Sequence, residues 1–193
     1  MANKKISELT AATALDGTEI IAVVQDGTTK QSTIQSVVSS GNELGFGRYD
    51  DGLYTSVSPL SLSDGVTVQL TNNANTSVTA GDFAMYNSGT GKLLAENIND
   101  CYILTVVFKA KAPNANQTHL NISMSGVGDF DRINKALVFA KGNDVEQNFH
   151  QVFQYYSDAD FVANGVTLNI ASHGGSATLY DIIFFVQRTQ KYY

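Results

Sequence analysis

Three histidines, one cysteine and two pairs of closely spaced aspartates are the side chains of this 193-residue chain best suited to chemistry. His119 opens a run that alternates apolar and polar residues, His150 lies within another, and His173 stands in the Gly-rich turn His173-Gly174-Gly175-Ser176. No His-x-x-x-His or Cys-x-x-Cys spacing joins them into a metal-ligand set, so they read as hydrogen-bonded or solvated imidazoles. Asp129-Phe130-Asp131 and Asp158-Ala159-Asp160 set carboxylates two positions apart, on one side of an extended chain. Such a pair has the chemistry to hold a calcium ion or to supply the acid and base of a glycosidase, yet loop carboxylates generally just face water. Neither a Gly-x-Ser-x-Gly nucleophile elbow nor a Gly-x-x-x-x-Gly-Lys-Ser/Thr phosphate loop occurs. The reading is of a chain that is not an enzyme, with no catalytic residue, no metal and no cofactor.

Composition bounds the partners. The formal charge is -6 and only 16% of residues are charged, without a cluster of Lys and Arg, which argues against a phosphate backbone as ligand. No run of eighteen apolar residues exists and Met1-Ala2-Asn3-Lys4-Lys5 leads into no continuous apolar segment, so neither a membrane span nor a secretory signal is expected. Cys101 stands alone at the head of an apolar run, where it reads as a small hydrophobe in a reducing compartment. Abundant Asn and Thr describe a polar surface of low charge. Such a surface is able to bind carbohydrate through Tyr, Asn and Asp groups, with Tyr156-Ser157-Asp158 as a candidate loop tip.

The elements that would position these residues are strands. Apolar and Thr-rich runs alternate with turn clusters, giving candidate strands at 66–70, 83–86, 102–110, 119–124, 136–140, 148–156, 166–171 and 178–188. Eight strands with no long helical period predict an all-β antiparallel sandwich or barrel. Leu120-Asn121-Ile122-Ser123-Met124 and Val166-Thr167-Leu168-Asn169-Ile170 alternate strictly, so each has one packed and one wet face. Tyr102 to Phe108 and Leu179 to Val186 are apolar on both sides of the pleat. Their outer faces are expected to meet another subunit, as is the aromatic-rich strand holding Phe149, Phe153 and Tyr155.

At the N-terminus, Asp26-Gly27 separates the apolar run Ile20 to Val24 from the Thr-rich run Thr28 to Ile34, the pattern of a two-residue hairpin. The first strand is apolar on both faces, and a hairpin alone is marginal in water. Its cover comes either from a partner protein or from folding back on its own domain. Ser32 is placed to cap a short helix with Ile34, Val37 and Val38 on one face. Residues 39–52 hold four glycines in fourteen and read as linker, which divides the chain into a module at 1–40, a Gly-rich linker at 41–55 and a β domain at 56–193.

Lys5-Ile6-Ser7-Glu8-Leu9, followed by Glu19-Ile20-Ile21-Ala22-Val23-Val24-Gln25-Asp26-Gly27-Thr28-Thr29-Lys30, resembles the N-terminal attachment module of tailed-bacteriophage fibres and capsid decoration proteins; Thr10 and Ala22 stand where that family commonly has proline. The resemblance implies a virion anchor formed by Ile6, Leu9, Leu15, Ile20, Ile21, Val23 and Val24. A second resemblance spans about residues 56–188. The long strand led by Tyr102, the run Phe161 to Leu168 and the terminal Leu179 to Val186 look like the trimeric jelly rolls of the tumour necrosis factor type, to which phage head fibres and capsid cement proteins are similar. It implies a jelly roll in a homotrimer, with Phe149, Phe153, Tyr155 and Phe184 at the trimer interface.

Together the resemblances lead us to expect a viral structural protein on the exterior of a bacteriophage capsid, assembled in the bacterial host cytoplasm. Its role would be that of a decoration, cement or head-fibre protein gripping the major capsid protein. Nucleic acid and membrane are not expected partners. The chain lacks repeats, collagen-like tracts and sustained heptads of a fibre shaft, which places a short receptor-binding tail protein recognising host surface glycan second, and a depolymerase third.

Overall fold

The structure is a computed structural model that describes residues 20–33, 44–81, 83–126, 131–140 and 142–192. The chain divides into two compact units, Met1–Glu43 and Leu44–Tyr193.

In the first unit β1 (Ile20–Gln25) pairs antiparallel with β2 (Thr28–Thr33), Gln25 opposite Thr28 and Ile20 opposite Thr33. The two residues between them take positive φ, 53° at Asp26 and 71° at Gly27, as the tight hairpin turn matched to strand twist requires. The expected hairpin is therefore present. Ser32, expected to cap a helix, instead lies within β2 opposite Ile21, and residues 34–38 of that helix are outside the described residues.

The second unit runs β3 (Phe46–Asp50), β4 (Leu60–Leu62), β5 (Thr67–Gln69), β6 (Thr76–Ala80), β7 (Tyr86–Asn87), β8 (Lys92–Leu93), β9 (Cys101–Lys111), β10 (His119–Ser125), β11 (Asp131–Val138), β12 (Gln147–Tyr156), α1 (Ala159–Asn164), β13 (Val166–His173) and β14 (Ala177–Gln190). Sheet I has the order β11-β10-β13-β8-β7, with β5 also on β13; sheet II has the order β12-β9-β14-β3-β6, with β4 also on β14. All pairings between these strands are antiparallel. The long strands alternate between sheets, β9 in II, β10 and β11 in I, β12 in II, β13 in I and β14 in II. The expected antiparallel jelly-roll sandwich is what forms.

Period-two alternation builds the core. Along β9, Tyr102, Leu104, Val106, Phe108 and Ala110 are buried while their neighbours are half-buried on the other face. Leu120, Ile122 and Met124 of β10 and Val166, Leu168 and Ile170 of β13 come from sheet I, and Leu179, Ile182, Phe184 and Val186 of β14 from sheet II. Full burial of each such side chain is worth about 1.5–3 kcal/mol. A bulge between Tyr180 and Ile183, with Asp181 at φ 54°, shifts the face that β14 presents, so Leu179 before it and Ile182 after it both enter the core.

The stretch expected to be linker is different. From Leu44 the chain already belongs to the sandwich, and Phe46–Asp50 is β3, paired with both β14 and β6. Gly47 made this segment look like a loop. Its hydrogen is there because the Tyr49 ring lies over it: a Cβ at Gly47 would stand 2.4 Å from the Tyr49 hydroxyl oxygen. Tyr49 is then free to pack against Tyr86 in a tilted pair, centroids 5.1 Å apart.

Candidate functional site

The titratable residues are placed as follows. Asp158 caps α1, its Oδ1 accepting from the Phe161 N–H at 2.9 Å, and the Asp160 Oδ1 accepts from the Asn164 side-chain amide at 2.9 Å, so both carboxylates serve the helix. Asp129 falls outside the described residues, and Asp131 begins β11. Cys101 is half-buried at the start of β9. His150 is exposed on the outer face of β12. His173, expected in a turn, closes β13 and stands in register with His119, their rings stacked at 5.3 Å. Among the described residues, no group of three or more His, Cys, Asp or Glu is placed to hold a metal ion.

Sequence reasoning gave no weight to the cluster around Arg188. This guanidinium is 2% exposed, pairs with Glu96, and lies 3.4 Å from an oxygen of the fully buried Asp100. Asp100 also accepts from the Tyr102 hydroxyl at 3.2 Å and from the Tyr192 backbone N–H at 2.7 Å. Burial pushes the Tyr102 phenol up to about 12, with the Asp100 charge adding to the shift. The cluster ties the end of β14 to the start of β9. It is closed to solvent at Asp100 and fits a structural clasp.

Of the expected anchor, Ile6, Leu9 and Leu15 lie outside the described residues. In β1, Ile20 is 66% and Val24 75% exposed on one face, while Ile21 and Val23 are half-buried on the other. Both faces of this strand are thus apolar, and one of them is uncovered.

The four expected interface aromatics sit elsewhere. Phe149, Phe153 and Phe184 are buried between the two sheets of a single chain, and the Tyr155 ring stacks on Tyr102 at 5.5 Å and on Phe161 at 5.5 Å. Phe149 packs on Phe108 and Phe139, and Phe184 on Tyr86. This corrects their assignment to a trimer face: the sandwich needs these rings to fill the space between its layers. The outer face of sheet II carries a different set. In register across β12, β9 and β14 stand Val152, Thr105 and Phe185, and one row along, His150, Val107 and Ile183. Val152 is 45% exposed, and Ile103, Val107, Ile183 and Phe185 are half-buried there, with no layer over them among the described residues of the sandwich.

Sheet I presents the opposite chemistry on its outer face. A trough of about 420 Å³ crosses β5, β13, β10 and β11. Its rows follow from register: Gln69, Asn169, Ser123 and Asn134 in one, Thr67, Ala171 and Asn121 in the next, and the His173–His119 stack closing one end. Among the described residues, no Asp, Glu, Lys or Arg lines it.

No family model matches the chain, and no curated protein matches it. Among solved structures it is similar to the Eiger TNF of S. frugiperda, at 8% identity over 78% of this chain and 94% of that one, with a TM-score of 0.49. The PRD1 vertex protein P5 gives 10% identity over 97% and 91%, with a TM-score of 0.43. The infectious bursal disease virus VP2 subviral particle gives 10% identity over 92% of this chain and 41% of that one, with a TM-score of 0.46. Likeness at this level carries no argument about activity or partner.

Proposed function

We propose that this chain is a non-enzymatic bacteriophage capsid decoration protein, of the cement or head-fibre kind, that attaches to the major capsid protein lattice on the virion exterior. The observation that carries the reading is the β1–β2 hairpin: a compact unit of its own, bearing the attachment-type sequence, with Ile20 and Val24 left in solvent. Apolar surface of that kind is stabilised by a partner that covers it. Assembly as a homotrimer through the outer face of sheet II is part of the proposal, since Ile103, Val107, Val152, Ile183 and Phe185 form an apolar band that a second copy would cover.

The test is addition to undecorated particles. The full chain should bind and raise the temperature at which packaged DNA is lost, whereas a chain lacking residues 1–40 should remain folded and fail to bind. A ligand held only by the assembled lattice stabilises it by RT ln(1 + [L]/Kd), about 2.7 kcal/mol per site at one hundred times Kd. Unchanged particle melting with full-length protein present would remove the decoration reading.

The polar trough on sheet I favours a second reading, a short receptor-binding tail protein that recognises host surface glycan. Electron cryomicroscopy of the particle separates the two: many copies on the shell for decoration, a few at the tail for receptor binding.

A further inference from the structure

We propose that the trough on the outer face of sheet I is a binding site for a neutral oligosaccharide. The argument starts from strand periodicity. β10 alternates from His119 to Met124 and β13 from Val166 to Ile170, so Asn121, Ser123 and Asn169 all leave the sheet on the side away from the core. Ala171 is the small residue among them: it stands between Thr67 and Asn121 in its row, and its short side chain leaves the floor of the trough low. His173 on one side, stacked on His119 beyond it, and the Gln69–Asn134 row on the other form its walls.

The polar groups are partly fixed in advance. The Gln69 Nε2 donates to the carbonyls of Thr90 at 3.2 Å and Gly91 at 3.0 Å, which holds the amide in one orientation and leaves its carbonyl oxygen as an acceptor. The Asn169 Nδ2 likewise donates to the Ser125 hydroxyl at 2.9 Å and the Thr167 hydroxyl at 3.5 Å. Asn121, Ser123 and Thr67 line the same space with donors and acceptors turned to solvent rather than to the protein. Amides and hydroxyls held this way lose little freedom when a ligand arrives.

Each competing ligand class meets a mismatch. A phosphate or sulfate group needs Lys or Arg, and the described lining of the trough has neither. An apolar ligand would strip water from amides without replacing their hydrogen bonds. Sugar hydroxyls both donate and accept, as this lining does, and the His119–His173 pair offers ring surface for an apolar sugar face. A volume of about 420 Å³ has room for a di- or trisaccharide and falls within the usual span of small-ligand clefts, about 300–1,000 Å³. The site sharpens the glycan reading given above without resting on it, because sugar binding is read on the purified chain and that reading on particle location.

The test is an NMR titration of the full chain with maltotriose, triacetylchitotriose and galactotriose in turn, followed at the side-chain amides of Gln69, Asn121 and Asn169 and the imidazoles of His119 and His173. At least one sugar should shift these signals saturably in the millimolar range. Ala171→Tyr, which fills the trough floor, should weaken that binding more than about tenfold, and Asn121→Ala with Ser123→Ala roughly three- to tenfold, as loss of one or two hydrogen bonds predicts. Both variants should keep the core methyl spectrum of the parent. Absence of saturable shifts with all three sugars overturns the proposal, and so does binding that survives both substitutions.

Discussion

Arg188 keeps its guanidinium inside the protein, between Glu96 and the fully buried Asp100. A buried ion pair is weak evidence of net stability, because desolvation offsets most of the attraction, but removing one partner strands the other charge. Arg188→Leu should therefore destabilise the sandwich by about 3–5 kcal/mol in a urea titration, and adding Asp100→Asn should restore a large part of it. A loss below about 1 kcal/mol would show that Asp100 is not held as a buried anion. The buried tyrosines give a second residue-scale prediction. Burial pushes both Tyr86 and Tyr102 up to about 12 from 10.0. Folded pKa values above the unfolded ones mean that this stabilisation is complete below pH 10 and is lost as pH rises towards 12. Unfolding free energy should fall across that window, each tyrosine adding up to about 1.4 kcal/mol per pH unit to the slope. A flat profile from pH 10 to 12 would contradict the burial of these phenols.

At the level of elements, the boundary between the two units lies at 43/44, near the start of the Gly-rich stretch read as linker, and the rest of that stretch belongs to the sandwich. Two truncations exploit the difference. Removing residues 1–40 leaves β3 intact and should leave the melting temperature of the sandwich within about 2 °C. Removing residues 1–55 deletes β3, taking away Tyr49 from against Tyr86 and unpairing one edge of β14. Loss of a buried ring of this size costs about 3–5 kcal/mol, so the shorter chain should lose cooperative unfolding or most of its stability. Equal melting of both truncations would mean that β3 is dispensable to the fold.

For the whole molecule, the two outer faces of the sandwich divide the work proposed for it. Sheet I is amide-rich and wet, and sheet II carries the apolar band of Ile103, Val107, Val152, Ile183 and Phe185. If copies associate through sheet II, light scattering at micromolar concentration should return a trimer, and Val107→Glu with Phe185→Glu should return a folded monomer. A charge buried in an interface without a partner is costly, whereas on a free surface it is tolerated. A monomeric parent chain, or a double variant that remains trimeric, would remove sheet II as the interface.

The sequence by itself determined the strand class and the hairpin turn, because each is written in local terms, whereas the jelly-roll type was implied by the resemblance of its strand layout. Alternation at period two marks β10 and β13, and Asp26-Gly27 supplies the positive φ that the turn needs. It also told that Phe149, Phe153 and Tyr155 share one side of β12. Only the tertiary structure decided that this side faces inward. Where both sides of a strand are apolar, as in β9 and β14, hydrophobicity has no sign to choose between core and interface, and register against the opposite sheet makes the choice. Register also brings His119 to His173 and assembles the trough from residues on four strands, a grouping that no spacing along the chain encodes. β3 was hidden for a related reason: the glycine that looked like a linker residue makes room for the ring of Tyr49, whose place is fixed by its burial against Tyr86 in the folded sandwich.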